Sequence, residues 1–112
     1  MDAAAEAVVR RLDKTLGIML AEGPSLTAGM MRMFLNAALR EGANQTDLIN
    51  LTGISRPTAS RQLLDLGETK RDGTPGLNWL DRGTSYGSLR EVRYSLTPQG
   101  RDIIDRVVKT WD

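Results

Sequence analysis

Two short amphipathic segments joined by a tight Thr-Gly-Ile turn, Asn44 to Leu66 (NQTDLINLTGISRPTASRQLLDL), constrain this chain more than any other stretch. Leu48 and Leu51 fall three apart on one face of the first segment. Asn44 stands where a side-chain oxygen can cap the free N–H groups of the opening turn, and Asp47 is favoured by the N-terminal dipole. Gly53 permits the turn, because a residue without Cβ takes positive φ at little cost. Ile54 should pin that turn to the core. Ser55 is placed to cap a second helix, and Pro57 fits its first turn, where no intrahelical N–H bond is lost. The pattern predicts a helix-turn-helix over 44–66.

In the second helix Ala59, Leu63 and Leu66, at i, i+4 and i+7, should be buried, which turns Arg56, Pro57, Thr58, Ser60, Arg61 and Asp65 outward. Such a face suits a DNA groove. Arginine grips guanine O6 and N7 bidentately, hydroxyls bond bases or phosphates, and threonine and proline carbons touch a thymine methyl. The plainer alternative is an ordinary solvated helix face.

Residues 77–97 read as a hairpin. Leu77 to Leu80 (LNWL) and Val92 to Leu96 (VRYSL) have strand character, separated by a run rich in glycine, serine and charge. A hairpin directly after a helix-turn-helix is a wing. Arg82 and Arg90 fall toward its tip and Arg93 at its base, and arginine at such a tip is drawn to the minor groove.

Thr97 and Pro98 then mark the cap and first residue of a helix whose apolar positions are Ile103, Ile104, Val107, Val108 and Trp111. An N-terminal helix carries a wide apolar stripe, Val8, Val9, Leu12, Leu16, Met19 and Leu20. These outer helices, 1–24 and 98–112, either fold back on their own domain or pair with a second copy. Leu26 to Arg40 gives a further helix with Met30, Met33, Phe34, Ala37 and Ala38 inward and Arg32 and Arg40 outward.

The segments ISRPTASR, GTPGLNWL and LTPQGR, in this order and spacing, resemble the MarR family of winged-helix transcription regulators. The resemblance covers roughly 26–108, and LTPQG after a basic hairpin is its most specific part. It implies a single winged helix-turn-helix domain over 1–112, mainly α with a small β-hairpin, whose flanking helices form a homodimerisation platform. It also implies a repressor straddling a pseudo-palindromic operator. Ser55, Arg56, Pro57, Thr58, Ser60 and Arg61 then belong to the recognition helix, and Arg90, six residues before Leu96, matches the wing arginine. Ser88 stands where the family places an acid, and Asp81-Arg82 occurs earlier in the hairpin, so Arg82 and Arg90 both remain candidates for the tip. Thr52 and Gln62 occupy positions that the family tends to keep aliphatic. Related regulators often bind small aromatic effectors between platform and winged helix. The methionines here could line such a space, but no charged anchor for an effector stands out.

Composition narrows the field. The 112 residues make one domain, able to bury about two thirds of the surface the unfolded chain exposes. With no cysteine and no histidine, thiolate and imidazole metal sites, a serine–histidine relay and an imidazole pH switch are excluded. The acids Asp13, Asp47, Asp65 and Asp81 lack motif spacing, and no enzyme is expected. The N-terminus lacks the order of a signal peptide and no run approaches a membrane span, so the expected location is cytoplasmic. Net charge is only +1, but residues 55–101 hold eight Lys and Arg against five Asp and Glu, which places the basic excess in the proposed reading region. The weak overall charge also suits two other uses of the fold, a protein-interaction module or a replication or segregation factor on DNA.

Overall fold

In the computed structural model, which describes residues 1–84 and 91–112, the elements are α1 (Ala3–Glu22), α2 (Ala28–Leu39), α3 (Gln45–Thr52), α4 (Arg56–Asp65), β1 (Leu80–Thr84), β2 (Val92–Leu96) and α5 (Pro98–Trp111). Side-chain oxygens cap four of these helices: Asp2 accepts from the Ala5 amide, Thr27 from Met30, Asn44 from Asp47 and Thr97 from Gly100. Each such cap is worth about 1 kcal/mol. At α3 the bond is reciprocal, because the Asp47 carboxylate also accepts from the Asn44 amide at 3.2 Å. Gly53 takes the turn with φ of 73°, in the left-handed region.

The core forms where α2, α3 and α4 meet the hairpin. Met33, Phe34 and Ala37 from α2, Leu48 from α3, and Ala59, Leu63 and Leu66 on and beside α4 are buried, and Trp79, Leu80, Tyr94 and Ile103 close over them. Phe34 and Trp79 meet edge to face, ring centroids 5.0 Å apart.

Some predicted details come out differently. Leu51 is 40% exposed, and Thr52 is buried in its place. At about 100° per residue, position i+4 lies about 40° from Leu48 whereas i+3 lies about 60° away on the other side, so Thr52 shares the inward face more closely. Its hydroxyl donates to the Leu48 carbonyl at 2.7 Å, and its own carbonyl accepts from Arg32 Nη1 at 3.1 Å. Burial therefore leaves Thr52 satisfied. Asp65, expected outward, is half-buried.

The segment LNWL is not a strand, since β1 begins only at Leu80. Asn78 has φ of 58°, and the amides of Leu77, Asn78 and Trp79 donate to the carbonyls of Asp65, Gly67 and Leu66. The end of α4 leaves carbonyls without intrahelical donors, and this segment supplies them. The hairpin pairs antiparallel, Leu80 opposite Leu96 and Arg82 opposite Tyr94. An isolated bridge between Ala43 and Tyr94 ties its base to the α2–α3 connection. Before it, the Asp72 carboxyl is held below the usual range by hydrogen bonds from the Thr74 hydroxyl and amide.

The outer helices pack on each other. Trp111 Nε1 donates to Thr15 Oγ1 at 2.9 Å, Arg11 lies 5.8 Å from the Trp111 ring centroid, and Arg106 pairs with Glu22 at 3.2 Å. Apart from Met19, the predicted stripe of α1 is not the face used: Val8, Val9, Leu12, Leu16 and Leu20 stay 38% to 50% exposed, and Val108 on α5 is 52% exposed. No described helix is long and apolar enough to cross a membrane.

Candidate nucleic-acid interface

Helix α4 divides sharply into two faces. Ala59 and Leu63 are at most 1% exposed, while Ser55, Arg56, Pro57, Thr58, Ser60 and Arg61 all face solvent. Ser55 occupies the N-cap position but does not cap. Its hydroxyl donates to Thr58 Oγ1 at 3.1 Å, and the helix start is secured by Pro57 in its first turn. The amides of that turn are therefore left without a side-chain acceptor, on the same outward end that carries the hydroxyls. Arg61 makes no hydrogen bond or ion pair among the described residues.

The first turns of α3 and α4 are joined. Arg56 Nη2 donates to Thr46 Oγ1 at 3.2 Å, and Gln45 Nε2 comes within 3.5 Å of the Arg56 carbonyl. Gln45 and Thr46 in turn line a shallow groove whose other wall is the hairpin, with Arg82, Glu91, Val92 and Tyr94. Arg82, exposed and without an ion pair among the described residues, thus lies on a surface continuous with the start of α4. Sequence reasoning misses Gln45 and Thr46. Their one signal is the position just after an N-cap, in a helix that precedes a recognition helix.

Arg93 is used differently from the expectation. Its Nη1 donates to the Gly42 carbonyl at 2.7 Å and its Nη2 pairs with Glu91 at 3.0 Å, so the fork is taken up within the fold. Arg90 lies outside the described residues. Met30 borders a cavity of about 130 Å³ with Leu26, Leu77, Asp65 and Lys70, whereas Met33 is fully buried. Among the described residues no cluster of three or more acidic side chains could hold a metal ion.

No protein-family model and no curated protein matches the sequence. Solved structures do match. A MarR family transcription regulator is 26% identical with a TM-score of 0.65, over 95% of this chain and 64% of its own. The transcriptional repressor CouR, solved on a 23-mer DNA duplex, is 25% identical with a TM-score of 0.64, over 96% of this chain and 69% of its own. MepR of S. aureus, solved as a DNA complex, is 14% identical with a TM-score of 0.72, over 99% of this chain and 84% of its own. The chain has the MarR-family winged-helix fold. Within the MarR fold, α3 and α4 are the helix-turn-helix, β1 and β2 the wing, and α1 and α5 the flanking helices. The chain spans just under two thirds of the length of the first of these MarR-type relatives.

Proposed function

We propose that this chain is a sequence-specific, double-stranded DNA-binding transcription regulator that works as a homodimer and represses by occupying its operator. The observation that carries the reading is the two-sided character of α4. One side is packed through Ala59 and Leu63, with Gln62 the one buried polar residue, and the other presents Thr58, Ser60 and Arg61, which has no partner among the described residues, beside Arg56, continuous through Gln45 and Thr46 with Arg82 on the hairpin. A helix of this composition fits the major groove, with Arg61 the natural reader of a guanine edge and Ser55 and Thr58 near phosphates. Arg82 follows the backbone into the adjoining minor groove. Arg93 and Glu91 belong to the scaffold that carries the hairpin rather than to the contact itself.

The DNA complexes of CouR and MepR support this use of the fold, and the role of CouR as a repressor supports repression. The exposed apolar stripe of α1 with Val108 of α5 supports the dimer, because a two-fold axis would bury the same patch on both copies. A hydroxyl-radical footprint on a bound duplex tests the arrangement. Two protected half-sites about one helical turn, roughly 10 bp, apart are expected. Protection of a single half-site would contradict the dimeric arrangement.

A further inference from the structure

Glu91 is an anionic side chain on the wall of the groove that the proposed interface turns toward DNA, where a free carboxylate would repel phosphate. Both of its oxygens are engaged. Oε1 accepts from Asn44 Nδ2 at 2.6 Å and Oε2 from Arg93 Nη2 at 3.0 Å, while Arg93 Nη1 reaches the Gly42 carbonyl at 2.7 Å. Asn44 uses its other side-chain atom, Oδ1, to cap α3 through the Asp47 amide at 2.8 Å. The bond donated to Glu91 thus fixes which way the Asn44 side-chain amide faces. Two residues beyond Asn44, in the same first turn of α3, Thr46 Oγ1 accepts from Arg56 Nη2 of α4 at 3.2 Å.

A two-stranded hairpin is marginal by itself and takes its direction from what it is tied to. Here the backbone tie is the bridge between Ala43 and Tyr94; at the end of β2 Glu41 Oε1 accepts from the Leu96 amide at 2.9 Å, and on the groove side the tie is this clamp, charge-assisted at its Arg93 and Asn44 bonds and half-buried. We infer that Glu91 is a positioning residue: it locks the wing against the N-terminus of α3, and through Asn44 and Thr46 holds wing and recognition helix in one register for DNA. The inference rests on the DNA-binding reading of the same surface.

The geometry allows a test by exchange of donor and acceptor. Asn44→Asp keeps the α3 cap but sets two carboxylates against each other. Asn44→Asp combined with Glu91→Gln restores the bond with donor and acceptor exchanged, keeps the net charge of the wild type, and leaves the amide oxygen at position 91 to accept from Arg93. Amide hydrogen exchange of Gly42 and Tyr94 is measured in the free protein, and affinity is measured on a duplex selected by the wild type. The single Asn44→Asp variant is expected to exchange roughly tenfold faster at both amides and to bind roughly tenfold more weakly. The double variant is expected to return both readings close to wild type. Unchanged exchange in Asn44→Asp overturns the clamp whatever the DNA result. Faster exchange that the double variant repairs, without recovery of affinity, overturns the positioning role. A wild type that retains no duplex overturns the DNA reading, and the exchange data then judge the clamp separately.

Discussion

The carbonyl of Trp79 lies against Gly100 so closely that a Cβ at position 100 would overlap its oxygen. The same carbonyl accepts from the Thr97 amide at 3.1 Å, and Thr97 Oγ1 donates to the Asn78 carbonyl at 2.6 Å. The Leu-Thr-Pro-Gln-Gly element is therefore a joint: Thr97 caps α5 and grips the segment before β1, Pro98 starts the helix, and Gly100 makes room for the backbone of Trp79. Gly100→Ala should destabilise the fold by about 1–3 kcal/mol, because backbone has to move rather than a side-chain end. Urea unfolding that left the midpoint unchanged would contradict this account of the motif.

Gln62 points the other way. It is 8% exposed, its Oε1 has no hydrogen-bond partner among the described residues, and its Nε2 sits over Gly29 on α2. Gln62→Met keeps the length and removes the unpaired acceptor, so the variant should be more stable by about 1 kcal/mol at an unchanged denaturant slope. A lower midpoint would mean that the amide makes a stabilising contact.

Most of this architecture is legible in the chain because its signals are local. Asn44, Gly53, Pro57, Thr97 and Pro98 each serve a helix end within a few residues of themselves, and Val92–Leu96 is the strand that its composition announces. The misses are tertiary. LNWL has strand composition, but its amides are taken by the open carbonyls of α4. Thr52, a local miss, takes the interior in place of Leu51 because the i+4 position lies nearer the Leu48 face, and its hydroxyl is satisfied there by the Leu48 carbonyl. Arg93 has the sequence position of a wing contact, yet the Gly42 carbonyl and Glu91, which flank it in space, claim its fork. At the candidate site, the outward face of α4 follows from periodicity. Gln45 and Thr46 do not, since their role depends on where the hairpin and Arg56 lie.

Arg82→Ala should weaken DNA binding with little change in base preference. If its contact is to phosphate, the slope of log affinity against log salt should become shallower by about 0.9. Titration across a salt series measures it, and an unchanged slope would remove Arg82 from the backbone contacts.

Leu16 is 44% exposed in the single chain, so Leu16→Glu should change the stability of the protomer by no more than about 0.5 kcal/mol. In a dimer that buries the α1 stripe the same change strands a charge in an apolar interface. Sedimentation should then report monomers where the wild type gives dimers. Equal sedimentation of the two proteins would place the interface elsewhere.

The proposed function turns on the outward face of α4 reading sequence. Selection of duplexes from a random pool at near-physiological salt, with wild type beside Arg61→Ala, tests it most directly. The wild type should enrich an inverted repeat, and Arg61→Ala should lose about 1–3 kcal/mol on that site and relax discrimination at one base pair. No enrichment by the wild type, or an equal loss by the variant on every sequence, would contradict sequence reading through Arg61.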